Sequence, residues 1–221
     1  MGRIKLSKRL RAVYDAVEEC ACVCDVGCDH GQLCVQLLLD GKAQNAIAVD
    51  ISAPSLEKAR ALAKEMGVRL SCRLGDGLQP VEAHEADTVV IAGMGGMEIG
   101  HILGAVDYRP RRLVLLPHRD GEYVRKLLFV LGYAVQHDRL VADGRHYYRL
   151  LVAEALEEPR QERVEDLPYQ ARWYVGEDNR NNPDFAEFAT ERVLHLEKLI
   201  EMGNRLPSVR EELRALKEFL C

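Results

Sequence analysis

Residues 25 to 31 read Asp-Val-Gly-Cys-Asp-His-Gly, and a further acid, Asp50, closes the next apolar run. Gly27 and Gly31 allow a tight turn in which backbone can approach a ligand closely. A helix starting after that turn presents free N–H groups, and Asp50 stands where it can accept hydrogen bonds from ribose hydroxyls. This is the entrance of a nucleotide-binding βαβ unit, but not of a dinucleotide-binding one. In G-x-G-x-x-G one residue separates the second glycine from the first, and here that position is Asp29. A pyrophosphate would meet a fixed carboxylate, whereas a ligand with a sulfonium cation and no phosphate would be attracted to it. S-adenosylmethionine therefore suits the turn better than a nicotinamide dinucleotide.

Two further glycine-rich segments could contribute chemistry, Gly75-Asp76-Gly77-Leu78 and Gly93-Met94-Gly95-Gly96. Asp76 either binds a ligand or closes an Asx turn, Asp50 either binds ribose or caps a helix, and His30 either acts on a substrate or is satisfied within its turn. Cys20, Cys22, Cys24, Cys28 and Cys34 crowd the first apolar run and the segment after it, yet none forms a C-x-x-C pair. Small apolar packing residues are the expectation, with Cys20, Cys22 and Cys24 on one strand face, and no metal is expected; a metal cluster or redox switch is the alternative. Arg3, Lys5, Lys8, Arg9 and Arg11 precede the first acid, Asp15, while Leu6, Leu10, Val13 and Val17 fall at helical spacing. The result is a basic amphipathic helix, either a solvated face or a phosphate-contacting flank. Further basic residues follow at Arg109, Arg111, Arg112, His118, Arg119, Arg125, Lys126, Arg145 and His146.

The elements that must position these residues alternate regularly. Strands are expected near 22–26, 45–50, 69–74, 87–92 and 112–116, and helices near 31–40, 54–66, 97–105 and 120–131. Apolar runs at 133–141 and 146–154, separated by Asp143-Gly144, signal an antiparallel hairpin. The fold class is α/β: a Rossmann-like, mostly parallel sheet with a C-terminal antiparallel hairpin, binding its ligand at the carboxyl ends of the strands. After a charged, proline-interrupted stretch, helices are expected near 184–203 and 207–220, with stripes Phe188, Val193, Leu196, Leu199, Ile200 and Val209, Leu213, Leu216, Leu220. That divides the chain into a cofactor-binding domain, 1–156, and a small helical hairpin domain, 157–221. Arg172, Trp173, Tyr174 and Arg180, around Gly176, either stack on or contact RNA or anchor the connection. With 221 residues, a net charge of -5, no membrane-length apolar run and no signal-like N-terminus, a cytoplasmic protein is expected, and the acidic total does not exclude a nucleic-acid partner.

Five segments, in order, carry a resemblance. They are Lys5-Leu6-Ser7-Lys8-Arg9-Leu10, Asp25-Val26-Gly27-Cys28-Asp29-His30, Gly75-Asp76-Gly77-Leu78, Ile91-Ala92-Gly93-Met94-Gly95-Gly96 and Leu151-Val152-Ala153-Glu154-Ala155. Together they resemble the bacterial tRNA (adenine-22-N1)-methyltransferase family, whose fold is a class I methyltransferase domain with a small C-terminal coiled-coil domain. The resemblance implies methyl transfer from S-adenosylmethionine to N1 of an adenine in the D-arm region of tRNA. Cofactor contacts are then expected from Asp25, Gly27, Asp29, Gly31, Asp50, Ile51, Asp76, Gly77, Ala92, Gly93 and Met94. Asp29, with His30 second, is the candidate catalytic residue. Lys8, Arg9, Gly95, Gly96, His118 and Arg119 are the candidate substrate contacts, and a monomer is expected. Where the family has Ala-Tyr-Leu-Pro, this chain reads Gly31-Gln32-Leu33-Cys34, so an aromatic near the substrate is missing. The alternatives are a class I methyltransferase acting on a small molecule or protein nitrogen, and a tRNA-binding module without activity. The target atom rests on the resemblance alone, because N1 and N6 methylation both need a gripped adenine.

Overall fold

The computed structural model describes residues 4–176 and 178–221, so Arg3 lies outside the described residues. Seven strands form one sheet: β1 (Cys20–Val26), β2 (Ala43–Asp50), β3 (Ser71–Leu74), β4 (Thr88–Ala92), β5 (Arg112–Leu116), β6 (Tyr133–Asp143) and β7 (His146–Ala155). Their order is β3-β2-β1-β4-β5-β7-β6; β1 to β5 run parallel, and β7 returns antiparallel between β5 and β6. This is the mostly parallel sheet with a terminal hairpin that the apolar runs and the Asp143-Gly144 turn predict. β1 starts at Cys20, two residues earlier than its apolar run suggests, because Cys20 pairs with Ala43. Turns rather than a helix connect β3 to β4.

Helices cover both faces because alternate strand residues are apolar in both directions. On one face Cys24, Val26, Ile47, Val49, Val89, Ile91, Leu113 and Leu115 pack under α4 (Gly96–Gly104) and α5 (Gly121–Val130) through Ile99, Ile102, Val124 and Leu128. On the other, Val23, Ala48, Val90, Val114 and Val152 meet α1 (Lys8–Ala16), α2 (Gln32–Leu39) and α3 (Ala53–Met66). The amphipathic pattern of α1 is thus used: Ala12, Val13, Tyr14 and nearby Val17 are buried, and Ser7 caps the helix by accepting the Leu10 N–H at 3.3 Å. Of the alternating cysteines, Cys22 and Cys24 share the first face, whereas Cys20 packs with the second. All seven thiols are free.

A third apolar cluster gathers around α6 (Arg172–Val175), α7 (Pro183–Glu201) and α8 (Pro207–Leu220). Phe185, Ala189, Leu196, Ala215 and Leu216 form its centre, and the Phe185 and Phe219 rings meet edge to face at 4.7 Å, setting the start of α7 against the end of α8. Leu220, expected in the stripe, is 43% exposed, because Phe219 occupies the packed position. Trp173 and Tyr174 are buried, so they anchor this region and present no stacking surface. The cluster reaches Leu140 of β6 and Phe129 of α5, and a buried ion pair fastens it there. Arg125 holds the Asp138 carboxylate through two bonds of 2.5 and 2.7 Å and donates a third to the Trp173 carbonyl at 2.8 Å. Arg109 bridges the carbonyls of Leu131 and Glu157 at 2.7 Å each, while Arg160 lies over the Phe129 ring, so the charged stretch after β7 is stapled to the C-terminal end of α5.

Removing one partner of a desolvated pair leaves the other charged and unsatisfied, at a cost of about 3–5 kcal/mol. Arg125→Ala is therefore expected to lose stability of that order in urea denaturation and to expose Trp173 fluorescence first. A variant as stable as wild type would show that the pair contributes nothing to the joint between α5, β6 and α6.

Candidate active site

The ends of β1, β2, β4 and β5 meet at one edge of the sheet, as their parallel register requires. A cleft of about 290 Å³ opens there, lined by Asp25, Gly27, Asp29 and His30 from the β1 turn, Ala92 and Gly93 from the β4 turn, and Ser7, Arg9 and Leu10 from the start of α1. Of the residues expected from sequence, these bring together Asp25, Gly27, Asp29, His30, Ala92, Gly93 and Arg9. Ser7, Leu10 and Leu116 also line the cleft and were not anticipated. A serine immediately before a basic amphipathic stretch was the available signal for Ser7.

The β1 turn is built from left-handed backbone at Gly27 (φ 71°), Asp29 (φ 50°) and Gly31 (φ 67°). A Cβ on Gly31 would lie 2.8 Å from Cβ of Ala59, so that position does not accept a side chain, whereas at Gly27 a Cβ would meet only the movable Cε of Met94, at 2.3 Å, and it is the left-handed backbone that favours glycine there. Gly31 starts α2 without a side-chain cap, leaving the N–H groups of the first turn available to an anionic ligand group. The Asp50 carboxylate joins two turns: it accepts the Asp29 N–H at 3.0 Å and the Ser52 N–H at 2.8 Å. A carboxylate has about four acceptor positions, so capacity remains for hydroxyl donors. Asp50 does not cap α3, whose N-cap is Ser52, accepting the Ser55 N–H.

Ile51 follows Asp50 and is 76% exposed, an apolar side chain left open beside the strand ends. Asp76 is exposed beyond β3, and among the described residues its carboxylate has no hydrogen-bond partner; Gly77 is buried against Ile102. In the β4 turn only Gly93 is open, and a Cβ there would meet nothing within 4 Å. Gly95 and Gly96 are buried: a Cβ there would lie 2.9 Å from Arg119 Nε and 2.5 Å from the Asp120 carbonyl, respectively. Their smallness lets the β4 and β5 turns pack together, and Met94 leans over Gly27. His118 and Arg119 are exposed on the β5 turn, and Lys8 and Arg9 on α1. His30 directs Nε2 toward both Lys58 Nζ at 3.1 Å and Asp29 Oδ1 at 3.3 Å, accepting from the lysine when neutral and donating to the aspartate when protonated.

Asp25 differs from the other acids. It is buried, and burial, reinforced by the charge of Asp50, pushes its carboxyl up to about 7. Burial also raises the Cys28 and Cys34 thiols, with the Asp25 charge adding to both, so these sulfurs stay protonated. Among the described residues, no group of His, Cys, Asp and Glu side chains could hold a metal ion. No helix among them is long and apolar enough to cross a membrane. The acids, hydroxyl acceptors and exposed apolar residue fit a cationic nucleoside; they offer no counter-charge to a pyrophosphate.

The chain matches the family described as methyltransferase domain over residues 6–151. It is 32% identical over 225 residues to the tRNA (adenine(22)-N(1))-methyltransferase of Bacillus subtilis strain 168, covering 99% of this chain and 94% of that protein. The crystal structure of the B. subtilis m1A22 tRNA methyltransferase TrmK superposes with a TM-score of 0.82 at 29% identity, over 98% of this chain and 99% of that one. The structure of M. capricolum TrmK with S-adenosyl-homocysteine has a TM-score of 0.83 over 97% of each chain; at 19% identity the likeness is one of fold.

The elevated Asp25 carboxyl has a consequence for stability. The folded chain holds this proton more tightly than the unfolded chain does. The group's stabilising contribution is therefore complete below about pH 4 and lost as pH rises through about 7. In the cofactor-free protein Asp25→Asn is expected to remove that decline, on the order of 4 kcal/mol at most, when urea midpoints are followed between pH 4 and 7. A variant that keeps the wild-type slope across that window would place the Asp25 ionisation elsewhere.

Proposed function

Because the chain belongs to the tRNA (adenine(22)-N(1))-methyltransferase family of methyltransferase-domain proteins, we propose that it transfers a methyl group from S-adenosylmethionine to N1 of adenine 22 in the D-arm region of tRNA. The observation that carries this reading is that Asp29 and Gly93 line one strand-end cleft with Arg9, and that Asp50, at the end of β2, is hydrogen-bonded to the Asp29 N–H beside it. When bound, S-adenosylmethionine supplies a methyl group on a positively charged sulfur, which departs as a neutral thioether.

The chain's own residues then have distinct tasks. Asp50 accepts the ribose hydroxyls on the lone pairs not used by Asp29 and Ser52. Asp76 accepts the adenine amino group of the cofactor, beside the left-handed turn at Gly77, and Ile51 covers one face of that ring. The free N–H groups at the start of α2 receive the methionyl carboxylate, and Asp25 and Asp29 attract the ammonium and sulfonium. Gly93, the open position of the β4 turn, lets the target base lie close to the methyl; Gly95 and Gly96 serve by keeping that turn against the β5 turn.

N1 of adenine attacks with its own in-plane lone pair, so the step needs no covalent intermediate and no base to generate the nucleophile. Positioning and electrostatics carry the catalysis. Methylation leaves the adenine cationic, and the Asp29 carboxylate, 75% exposed at the cleft, stabilises that charge or accepts a proton from the exocyclic amine, with His30 beside it. N1 is engaged in a paired base, so adenine 22 must be unpaired or flipped to reach the cleft. Arg9 lines the cleft, and the exposed Lys8, His118 and Arg119 suit phosphate contacts. Action as a monomer is part of this proposal. All the groups invoked precede residue 157, which supports a cofactor-binding unit at 1–156 with the helical region beyond it.

The test is methyl incorporation. Purified protein with labelled S-adenosylmethionine and an unmodified tRNA bearing adenine at position 22 is expected to yield N1-methyladenosine there, identified by mass after digestion. A folded, cofactor-binding protein that leaves several such tRNAs unlabelled would overturn the substrate assignment. Asp29→Ala is expected to lower kcat by ~10²-fold or more with an unchanged melting temperature. Near-normal turnover would remove Asp29 from the mechanism.

A further inference from the structure

The tip of the β6–β7 hairpin carries basic side chains, Arg145 and His146, that neither the core nor the cofactor cleft employs. Other arginines of the C-terminal half of the sheet domain are consumed by the fold: Arg109 by the carbonyls of Leu131 and Glu157, Arg112 by Glu18 and Glu154, and Arg125 by Asp138. Arg145 and His146 are exposed, and among the described residues neither has an ion pair or a side-chain hydrogen bond.

Strand register fixes where they stand. β7 runs antiparallel to β5, with Leu115 opposite Leu151, so the start of β7 lies beyond the carboxyl end of β5, on the edge that holds the cleft. β5 stops at Leu116, while β6 and β7 stay paired up to Asp143 and His146. Residues 146–149 therefore project past the sheet edge, roughly 13 Å at the usual rise of a strand. This arm is fastened to the cleft wall. The Arg9 N–H donates to the Asp143 carboxylate at 3.3 Å, and the Arg9 guanidinium lies over the Tyr148 ring at 5.5 Å. Arg9 itself lines the cleft. The one acid of the tip is thus engaged by α1, and Lys5, Lys8, Arg9 and Arg145, together with His146, are all exposed.

We infer that the β6–β7 tip is a docking arm for the RNA phosphate backbone, holding the strand that passes the α1 side of the cleft. The inference deepens the tRNA reading and rests on it. Arg145 and His146 bind phosphates rather than bases, so they set affinity and register without reading sequence. Fixed to α1, they orient the D-arm toward Gly93 without touching the cofactor.

The experiment compares full-length wild type with Arg145→Ala/His146→Ala. It measures equilibrium binding to unmodified tRNA over a salt series, S-adenosylmethionine affinity by calorimetry, melting temperature, and kcat with KM for tRNA. The double variant is expected to bind tRNA about 10-fold more weakly, with a log–log salt slope shallower by about 1–2, as loss of one or two phosphate contacts requires. KM for tRNA rises in step, while kcat at saturating tRNA, cofactor affinity and melting temperature stay at wild-type values. Arg145→Lys/His146→Lys is expected to keep most of the affinity. An unchanged affinity and slope in the variant, with a wild type that binds tRNA, overturns the docking arm alone. Weakening that is equal at every salt concentration and accompanied by a lowered melting temperature overturns it too, as a fold defect. A wild type that binds no tRNA overturns the underlying reading.

Discussion

Past the carboxyl ends of the parallel strands, the turns remain hydrogen-bonded to one another through their backbones. Gly27 and Cys28 donate to the Val49 carbonyl, Gly75 to Asp50, Gly93 to Leu116, His118 to Met94, and Gly96 to Arg119, all between 2.9 and 3.2 Å. The ladder of the sheet therefore continues into the loops. Loops are ordinarily the mobile part of an α/β protein, yet these inherit the register of buried strands. The relative positions of Asp29, Asp50 and Gly93 follow from that continuity. So does the need for glycine where two turns or two helices approach too closely for a Cβ, as at Gly31 and Gly96.

Charge is sorted around this frame. Asp25, Asp29, Asp50 and Asp76 follow or close the strand ends, while Arg9 lines the cleft, Arg119 is exposed on the β5 turn, Lys5 and Lys8 are exposed at the N-terminal segment, and Arg145 is exposed on the projecting hairpin. A net charge of -5 is thus compatible with a polyanionic partner, because local potential steers association more than the total does. The innermost acid would add to mutual repulsion if ionised in the empty cleft. Burial holds Asp25 up at about 7, so near neutrality the cleft keeps part of its negative charge in reserve.

The C-terminal helices are joined to the sheet by specific polar bonds as well as by apolar area. The Arg125–Asp138 pair, the Trp173 carbonyl and Asn179, which accepts the Leu140 N–H at 2.9 Å and donates to the Asp138 carbonyl, tie α5, β6 and the region around α6 together. Buried polar groups of this kind are costly when half satisfied, which makes the joint geometrically definite. A division of the chain near residue 156 therefore describes its composition better than its mechanical independence.

The sequence by itself determined the sheet, the hairpin, the order of the elements and the acids at the strand ends. Hydrophobic period, glycine position and the Asp143-Gly144 turn are local signals that survive in any context. It did not determine which cations are free. Arg109, Arg112 and Arg125 look no different in sequence from Arg145, and only tertiary packing brings the first three against carbonyls and carboxylates far along the chain. Nor did it separate Gly93, open to the cleft, from Gly95 and Gly96, closed against the β5 turn. Trp173 and Tyr174 likewise needed the packed third cluster to become anchors rather than a stacking surface. Burial and pairing depend on residues distant in sequence, and those neighbours exist only once the chain has folded.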